Sequence, residues 1–149
     1  HIDAQEIGRN GPSYAVDTLQ TLRNSVGETT SLIWVMGADQ LINLHTWHQW
    51  RTLFSLTNLC IAARPGYELS REAMDAEVAS EIARRQASPA QLRASASGLC
   101  YIATNLALEV SSTALRGALR NAHVRPEQEE QLPAPVLDYI QQHHLYQTT

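Results

Sequence analysis

The 149 residues predict an α/β fold, a mostly parallel sheet flanked by helices, on three observations. The first is Ser31 to Asp39, SLIWVMGAD, where the apolar run Leu32 to Met36 stops at Gly37 and Asp39. A short apolar run bounded by polar residues and a glycine fits a parallel strand buried on both faces. The second is Leu59-Cys60-Ile61-Ala62-Ala63, a similar run ended by Arg64-Pro65-Gly66-Tyr67. The third is the helical spacing between them, so that strand, helix and strand read as a βαβ unit. Ligands in open α/β sheets collect outside the carboxyl ends of strands, which makes Gly37 and Asp39 candidates. Gly37 allows close backbone approach and Asp39 adds a carboxylate, although many ordinary strands end the same way.

In chain order, residues 1 to 12 read as a short strand or extended segment and a loop ending in Asn10-Gly11-Pro12. Ser13 is placed to cap a helix to about Arg23, with Tyr14, Val16, Leu19 and Leu22 as a broken apolar stripe. Asn24 to Thr30 turn into the first strand. Behind Asp39, Leu41, Ile42 and Leu44 mark a short helix, and a second is expected over Trp47 to Leu53. Ser70 is a candidate cap for a helix over Glu72 to Gln86, with Met74, Val78 and Ile82 on one face. Residues 87 to 98 read as a loop of small residues. Leu99 to Ala103 and Leu106 to Val110 read as two strands, or as one strand and an extended approach to a helix opened by Ser111-Ser112-Thr113. Arg125 to Pro133 is acidic and loop-like, and Pro135 starts a last helix ending near His144. With no repeat or sustained heptad, residues 1–149 read as part of one domain.

Composition narrows the function classes. An apolar fraction of 44% with 17% charge fits a globular chain with a real core. A net charge of -4 argues against a nonspecific nucleic-acid surface. All eleven basic residues are arginines, whose planar fork suits phosphate and carboxylate. The absence of lysine excludes a Walker-type lysine or a Schiff base from these residues. Cys60 and Cys100 lack metal spacing and read as two reduced, buried thiols. No apolar run approaches the roughly 18 residues of a membrane span. HIDAQEIGR has no signal-peptide hydrophobic segment, so the expected location is cytoplasmic. His1, lacking an initiator methionine, enters as if in mid-structure.

The sharpest chemical pattern is VSSTALR, Val110 to Arg116. Three hydroxyls at a helix start offer side-chain and backbone donors to a phosphate, and Arg116 lies one turn from Thr113. An ordinary helix cap followed by a solvated arginine accounts for the same residues. Arg64, directly behind the second strand, is either an anion ligand or part of a surface turn. Trp47 and Trp50 are three apart and on a helix would share a face. Either could stack on a flat ring, with core packing favoured for Trp50. Tyr14 is a core anchor or a pocket edge. His45 and His48 have ligand spacing but no completing carboxylate or cysteine, so no metal site is assigned. No serine or cysteine sits in a nucleophile motif.

The landmarks RNGPSYAVDTL (9–19), MGAD (36–39), LHTWHQW (44–50), ARPGY (63–67), VSSTALR (110–116) and LPAPVLDYI (132–140) occur in one order across nearly the whole chain. That combination closely resembles bacterial nicotinate-nucleotide adenylyltransferases, enzymes with a Rossmann-like nucleotidyltransferase fold. VSSTALR looks like the family's ISSTxIR signature, with Val110 and Leu115 as conservative departures. The family's GxFxPxHxGH motif is absent from these residues, so the chain is expected to be the C-terminal portion of the enzyme. The resemblance implies transfer of AMP from ATP to nicotinate mononucleotide, giving deamido-NAD and pyrophosphate, with Mg²⁺ accompanying ATP. It also implies roles: Ser111, Ser112, Thr113 and Arg116 cradle the ATP phosphates, while Gly37, Asp39 and Arg64 lie on the nucleotide side. Trp47 would stack on the pyridine ring, and Tyr14, Ala15 and the backbone around His48 would shape the acceptor pocket. Expected partners are ATP and nicotinate mononucleotide, with no nucleic acid and no membrane; a homo-oligomer is compatible with the sequence. The alternatives are a noncatalytic nucleotide-binding α/β module, and a related transferase using nicotinamide mononucleotide or phosphopantetheine.

Overall fold

The computed structural model describes residues 2–63, 74–104, 112–120 and 132–146. Its contacts divide the chain into two compact units, His1–Ala107 and Leu108–Thr149. The first unit contains α1 (Ala15–Val26), β1 (Ile33–Gly37), α2 (Ala38–Ile42), α3 (Leu53–Leu56), β2 (Asn58–Ala62), α4 (Ala76–Arg85), α5 (Pro89–Ala94) and β3 (Cys100–Ala103). Two 3-10 turns, Leu44–Thr46 and Trp50–Thr52, lie between α2 and α3. The second unit contains α6 (Ser112–Arg120) and α7 (Ala134–Gln142).

The three strands form a parallel sheet in the order β1-β2-β3, with Val35 beside Cys60 and Cys60 beside Tyr101. Parallel neighbours require crossovers, and the helices that supply them pack their apolar residues on the sheet. Leu19, Leu41, Leu44, Leu53, Leu59, Ile61 and Val78 are wholly or almost wholly removed from water and form the centre of the core. The α/β reading and both strand positions therefore hold.

One expectation about β1 fails. The apolar run predicted a strand covered on both faces, yet Ile33 is exposed and Val35 is 66% exposed. β1 pairs only with β2 among the described residues, and only Met36 in the strand is fully buried. An apolar run records that a strand is hydrophobic, but which elements cover its faces depends on remote chain.

Several element ends also move. Tyr14, not Ser13, stands at the start of α1, in extended backbone and without a side-chain cap. α2 begins at Ala38, so Asp39 belongs to its first turn. The helix expected over Trp47 to Leu53 is replaced by a 3-10 turn and the short α3, with Gln49 in the left-handed region at φ 51°. Asp75 caps α4, its carboxylate accepting from the Glu77 and Val78 amides, where the sequence pointed to Ser70, outside the described residues. The predicted loop 87–98 holds α5, opened by a reciprocal cap between Ser88 and Gln91 with Pro89 at the first turn. Residues 5–8 form a turn, with no strand described nearby, and α7 ends at Gln142. The segment Leu106 to Val110 lies outside the described residues.

Buried polar side chains tie the loops to the sheet. Asn58 donates to the carbonyls of Leu92 (3.1 Å) and Ser95 (2.8 Å) and accepts from the Leu99 amide (3.0 Å). It thereby fixes the end of α5 and the entry to β3. Arg23, only 8% exposed, donates to the carbonyls of Leu56, Gly27, Thr30 and Ala96. Among the described residues, every buried side-chain nitrogen and oxygen has a partner. Cys60 is half-buried, Cys100 is buried, and both are free thiols.

Candidate functional site

Two separate segments of the first unit converge on one cleft. The first leads into α1. Thr18, buried one turn inside α1, donates its hydroxyl to the Glu6 carboxylate and accepts from Arg9 at 3.0 Å. This network pins the turn at residues 5–8 against the helix. Asn10-Gly11-Pro12 then returns the chain to Tyr14, whose carbonyl accepts the Asp17 amide at 3.1 Å and starts α1. Because the Tyr14 backbone is extended there, its ring stands clear of the helix, 42% exposed.

The second segment follows α2. The 3-10 turn at Leu44–Thr46 ends in extended backbone at Trp47. Three residues later Trp50 is buried and meets Phe54 edge-on, with ring centroids 6.3 Å apart. The intervening turn is not α-helical, so the two tryptophans do not share a face as helical spacing implied. Trp50 anchors the segment in the core, and half-buried Trp47 lines the cleft.

The cleft has a volume of about 430 Å³ and is lined by Tyr14, Ala15, Trp47 and His48, together with Glu6, Ser13, Trp34 and Thr46. All four residues expected at the acceptor pocket are therefore brought together. His48 lies over Tyr14, with centroids 4.6 Å apart and ring planes tilted by 35°. Three aromatic rings and a histidine make a wall suited to a flat heteroaromatic ring. Glu6 is the carboxylate among the lining residues.

The other candidates fall elsewhere. Gly37 ends β1 opposite Ala62 and precedes the first turn of α2. A Cβ added to Gly37 would collide with Asp39 Oδ1, so the Asp39 carboxylate folds back against the glycine. Asp39 is exposed and accepts from Gln40 Nε2 at 3.0 Å; neither Gly37 nor Asp39 lines the cleft. Ser112 and Thr113 are exposed in the first turn of α6, with exposed Arg116 one turn on, all in the second unit. Arg64 and Ser111 lie outside the described residues.

Sequence reasoning missed Glu6, Ser13 and Trp34, while Thr46 lay within the LHTWHQW landmark. Strand alternation carried a signal for Trp34, which shares the Met36 face of β1, and Ser13 adjoins Tyr14, a residue already chosen. Glu6 had no local signal, since it comes to the cleft through contacts with residues farther along the chain, its carboxylate accepting from Thr18 and its carbonyl from Ser13. Among the described residues, no three His, Cys, Asp or Glu side chains gather to hold a metal ion. No helix among them is long and apolar enough to cross a membrane.

No protein-family model matches the chain. Curated relatives do. It is 45% identical over 148 residues to a probable nicotinate-nucleotide adenylyltransferase of Herminiimonas arsenicoxydans, covering 99% of this chain and 66% of that protein. It is 37% identical over 149 residues to a protein of the same description from Dechloromonas aromatica, covering 99% of this chain and 67% of that one. The chain belongs to the nicotinate-nucleotide adenylyltransferase family. It spans about two-thirds of the length of these relatives. Two structures of the Plasmodium falciparum nicotinic acid mononucleotide adenylyltransferase, one complexed with APC and one with NaAD, share the fold at TM-score 0.59 and 15% identity. They match 92% and 91% of this chain, and 60% and 58% of theirs. The parallel sheet of this chain, flanked by helices, matches the Rossmann-like nucleotidyltransferase fold that the sequence landmarks implied.

Proposed function

We propose that the protein transfers the adenylyl group of ATP to nicotinate mononucleotide, releasing pyrophosphate and forming deamido-NAD. The observation that carries this reading is the cleft of about 430 Å³ lined by Tyr14, Trp47 and His48 in a chain of this family. The pyridine ring stacks on Trp47, with Tyr14 and Ala15 closing the opposite edge. Ser111, Ser112, Thr113 and Arg116 hold the phosphates of ATP, using hydroxyl donors, the α6 N-terminus and a guanidinium. Gly37 leaves room for the nucleotide, Asp39 accepts from its ribose hydroxyls, and Arg64 adds a cation beside it.

The acceptor phosphate attacks the α-phosphorus of ATP directly, and the bond to the β,γ-pyrophosphate breaks. Such a reaction needs alignment and compensation of oxygen charge, and no protein nucleophile. Mg²⁺ would accompany ATP, held largely through its phosphates, and would supply compensation of their charge. Free cysteines and the family's biosynthetic chemistry support a cytoplasmic location. The 149 residues then make up the C-terminal portion of one nucleotidyltransferase domain, acting without nucleic acid or membrane. Its assembly state is a matter for sedimentation.

The test is pyrophosphate release from ATP with nicotinate mononucleotide, nicotinamide mononucleotide or phosphopantetheine, on both this chain and the complete gene product. Trp47→Ala is expected to raise the KM for the acceptor about tenfold, the value of one good aromatic stack, while the KM for ATP changes little. A preference for phosphopantetheine, or equal changes in both KM values, would count against the assignment. ATP binding without turnover in the complete gene product would favour the noncatalytic module.

A further inference from the structure

Glu6 is the carboxylate among the residues that line the cleft, and the bond that holds it has a fixed direction. Arg9 can only donate, so its 3.0 Å bond from Nη1 makes the Thr18 oxygen an acceptor. The hydrogen of that hydroxyl is then committed to Glu6 Oε1. Thr18 is 7% exposed within α1, so the carboxylate is held from a point fixed by the core. Ser13 steadies the same residue, donating from Oγ to the Glu6 carbonyl at 3.5 Å. Arg9 does not neutralise the carboxylate: its Nη2 donates to Gln5 Oε1 at 3.1 Å, and among the described residues it forms no ion pair with Glu6. Nor does Oε2 take a hydrogen bond among those residues, so acceptor capacity remains at the cleft.

A carboxylate accepts hydrogen bonds and donates none, so its partner on a ligand is a donor or a cation. Nicotinate mononucleotide offers little choice. Its ring carboxylate and its phosphate are themselves acceptors, which Glu6 repels, and its ring nitrogen carries positive charge but no hydrogen. Its donors are the 2′- and 3′-hydroxyls of the ribose. We propose that Glu6 binds the ribose of the acceptor, Oε2 accepting from the 2′- or 3′-hydroxyl, and that Thr18 is the positioning residue that aims the carboxylate; this rests on the acceptor assignment above. With the ring stacked on Trp47, a second contact at the ribose fixes rotation about the glycosidic bond and turns the phosphate away from Glu6. The contact reads ribose against deoxyribose and is indifferent to the substituent on the ring.

The experiment measures dissociation constants of nicotinate mononucleotide and its 2′-deoxy and 3′-deoxy forms for the complete gene product, by quenching of tryptophan emission. Removing the hydroxyl that Glu6 meets is expected to weaken binding about tenfold, the lower end for a hydrogen bond to a charged group. The ring and the phosphate are common to all the ligands, so a general loss of affinity in a variant cancels in the ratio. Glu6→Ala should bind the ribosyl and deoxyribosyl forms equally, and comparison with the native protein removes any effect of deoxygenation on the sugar itself. Thr18→Val keeps the shape of the side chain but not its hydroxyl, and its ratio should fall toward parity; Thr18→Ser should restore it. Equal binding of all the nucleotides by the native protein, or the native ratio in Glu6→Ala, overturns the ribose contact and leaves the acceptor assignment standing. An undiminished ratio in Thr18→Val overturns the positioning role of Thr18. Failure of the native protein to bind nicotinate mononucleotide overturns the ribose contact and the acceptor assignment together.

Discussion

Replacing Arg23 by methionine removes a buried cation that has no carboxylate partner among the described residues. Its guanidinium makes five hydrogen bonds to four carbonyls: Leu56 from Nε (2.9 Å) and Nη2 (2.6 Å), Gly27 (2.8 Å) and Thr30 (2.7 Å) from Nη1, and Ala96 (2.7 Å) from Nη2. These carbonyls belong to the end of α3, the loop between α1 and β1, and the loop before β3, so one side chain closes three chain ends. Hydrogen bonds to a charged group are worth about 1.5–3 kcal/mol each when one partner is removed. Two effects reduce the sum. The guanidinium no longer has to be desolvated, which returns several kcal/mol. A neighbouring cavity of about 530 Å³, lined by Arg23, Gly27, Leu56 and Ser97, lets water reach some of the released carbonyls. The net loss expected for Arg23→Met is about 3 kcal/mol, within the range for a broken buried polar network. Arg23→Lys keeps the charge but not the planar fork, and is expected to lose about 2 kcal/mol. Urea unfolding followed by tryptophan emission reads the first unit alone, since Trp34, Trp47 and Trp50 all belong to it. With a slope of about 2 kcal/mol/M, the midpoint for Arg23→Met falls by about 1.5 M. A midpoint within about 0.2 M of the parent at unchanged slope would refute the reasoning.

Gly37→Ala is expected to cost less than about 1 kcal/mol, because the atom it meets is the free end of the Asp39 side chain, which can rotate away. Its KM for ATP should nevertheless rise as Asp39 is displaced; a large drop in the urea midpoint with unchanged KM would contradict this. Burial, with Cys60 nearby adding to it, pushes the Cys100 thiol up to about 12. The unfolded thiol ionises near the ordinary value of about 8.5, so this residue stabilises the fold fully below that pH and less as pH rises toward 12. Iodoacetamide at pH 8 should therefore leave Cys100 unmodified until urea unfolds the chain, as read by mass spectrometry. Hydrogen bonds from Arg84 and Arg85 hold the Glu81 carboxyl below the usual glutamate range. That contribution is present above about pH 4.3 and lost as pH falls through the lowered value, so Glu81→Gln should unfold with a shallower acid dependence than the parent.

The strands were legible because burial leaves a local mark. Leu59 to Ala63 is apolar without interruption, and β2 lies in the middle of the sheet with Leu59 and Ile61 fully buried. The same inference was wrong for β1 in one respect, since a strand that among the described residues pairs on one side alone and exposes Val35 has the same apolar signature as a central one. Helix starts were less legible. Asp75 and Ser88 are both good capping residues, but so are Ser13 and Ser70, and a hydroxyl or carboxylate becomes a cap only when the following backbone turns beneath it.

By itself, the sequence determined the class of the protein: short apolar runs at βαβ spacing, and a set of ordered motifs whose family the curated relatives share. It also marked Tyr14, Ala15, Trp47 and His48, which the fold gathers on one cleft. The sequence favoured core packing for Trp50, but only the tertiary structure showed how the two part: left-handed backbone at Gln49 breaks the helical spacing, burying Trp50 and leaving Trp47 half-buried at the edge of the core and on the cleft. Only the tertiary structure brought Glu6 to that cleft and buried Arg23 among carbonyls from loops up to 73 residues away. The physical reason is common to these cases. Apolar periodicity is written in neighbouring residues, whereas the partner of a polar side chain is set by where distant backbone comes to rest.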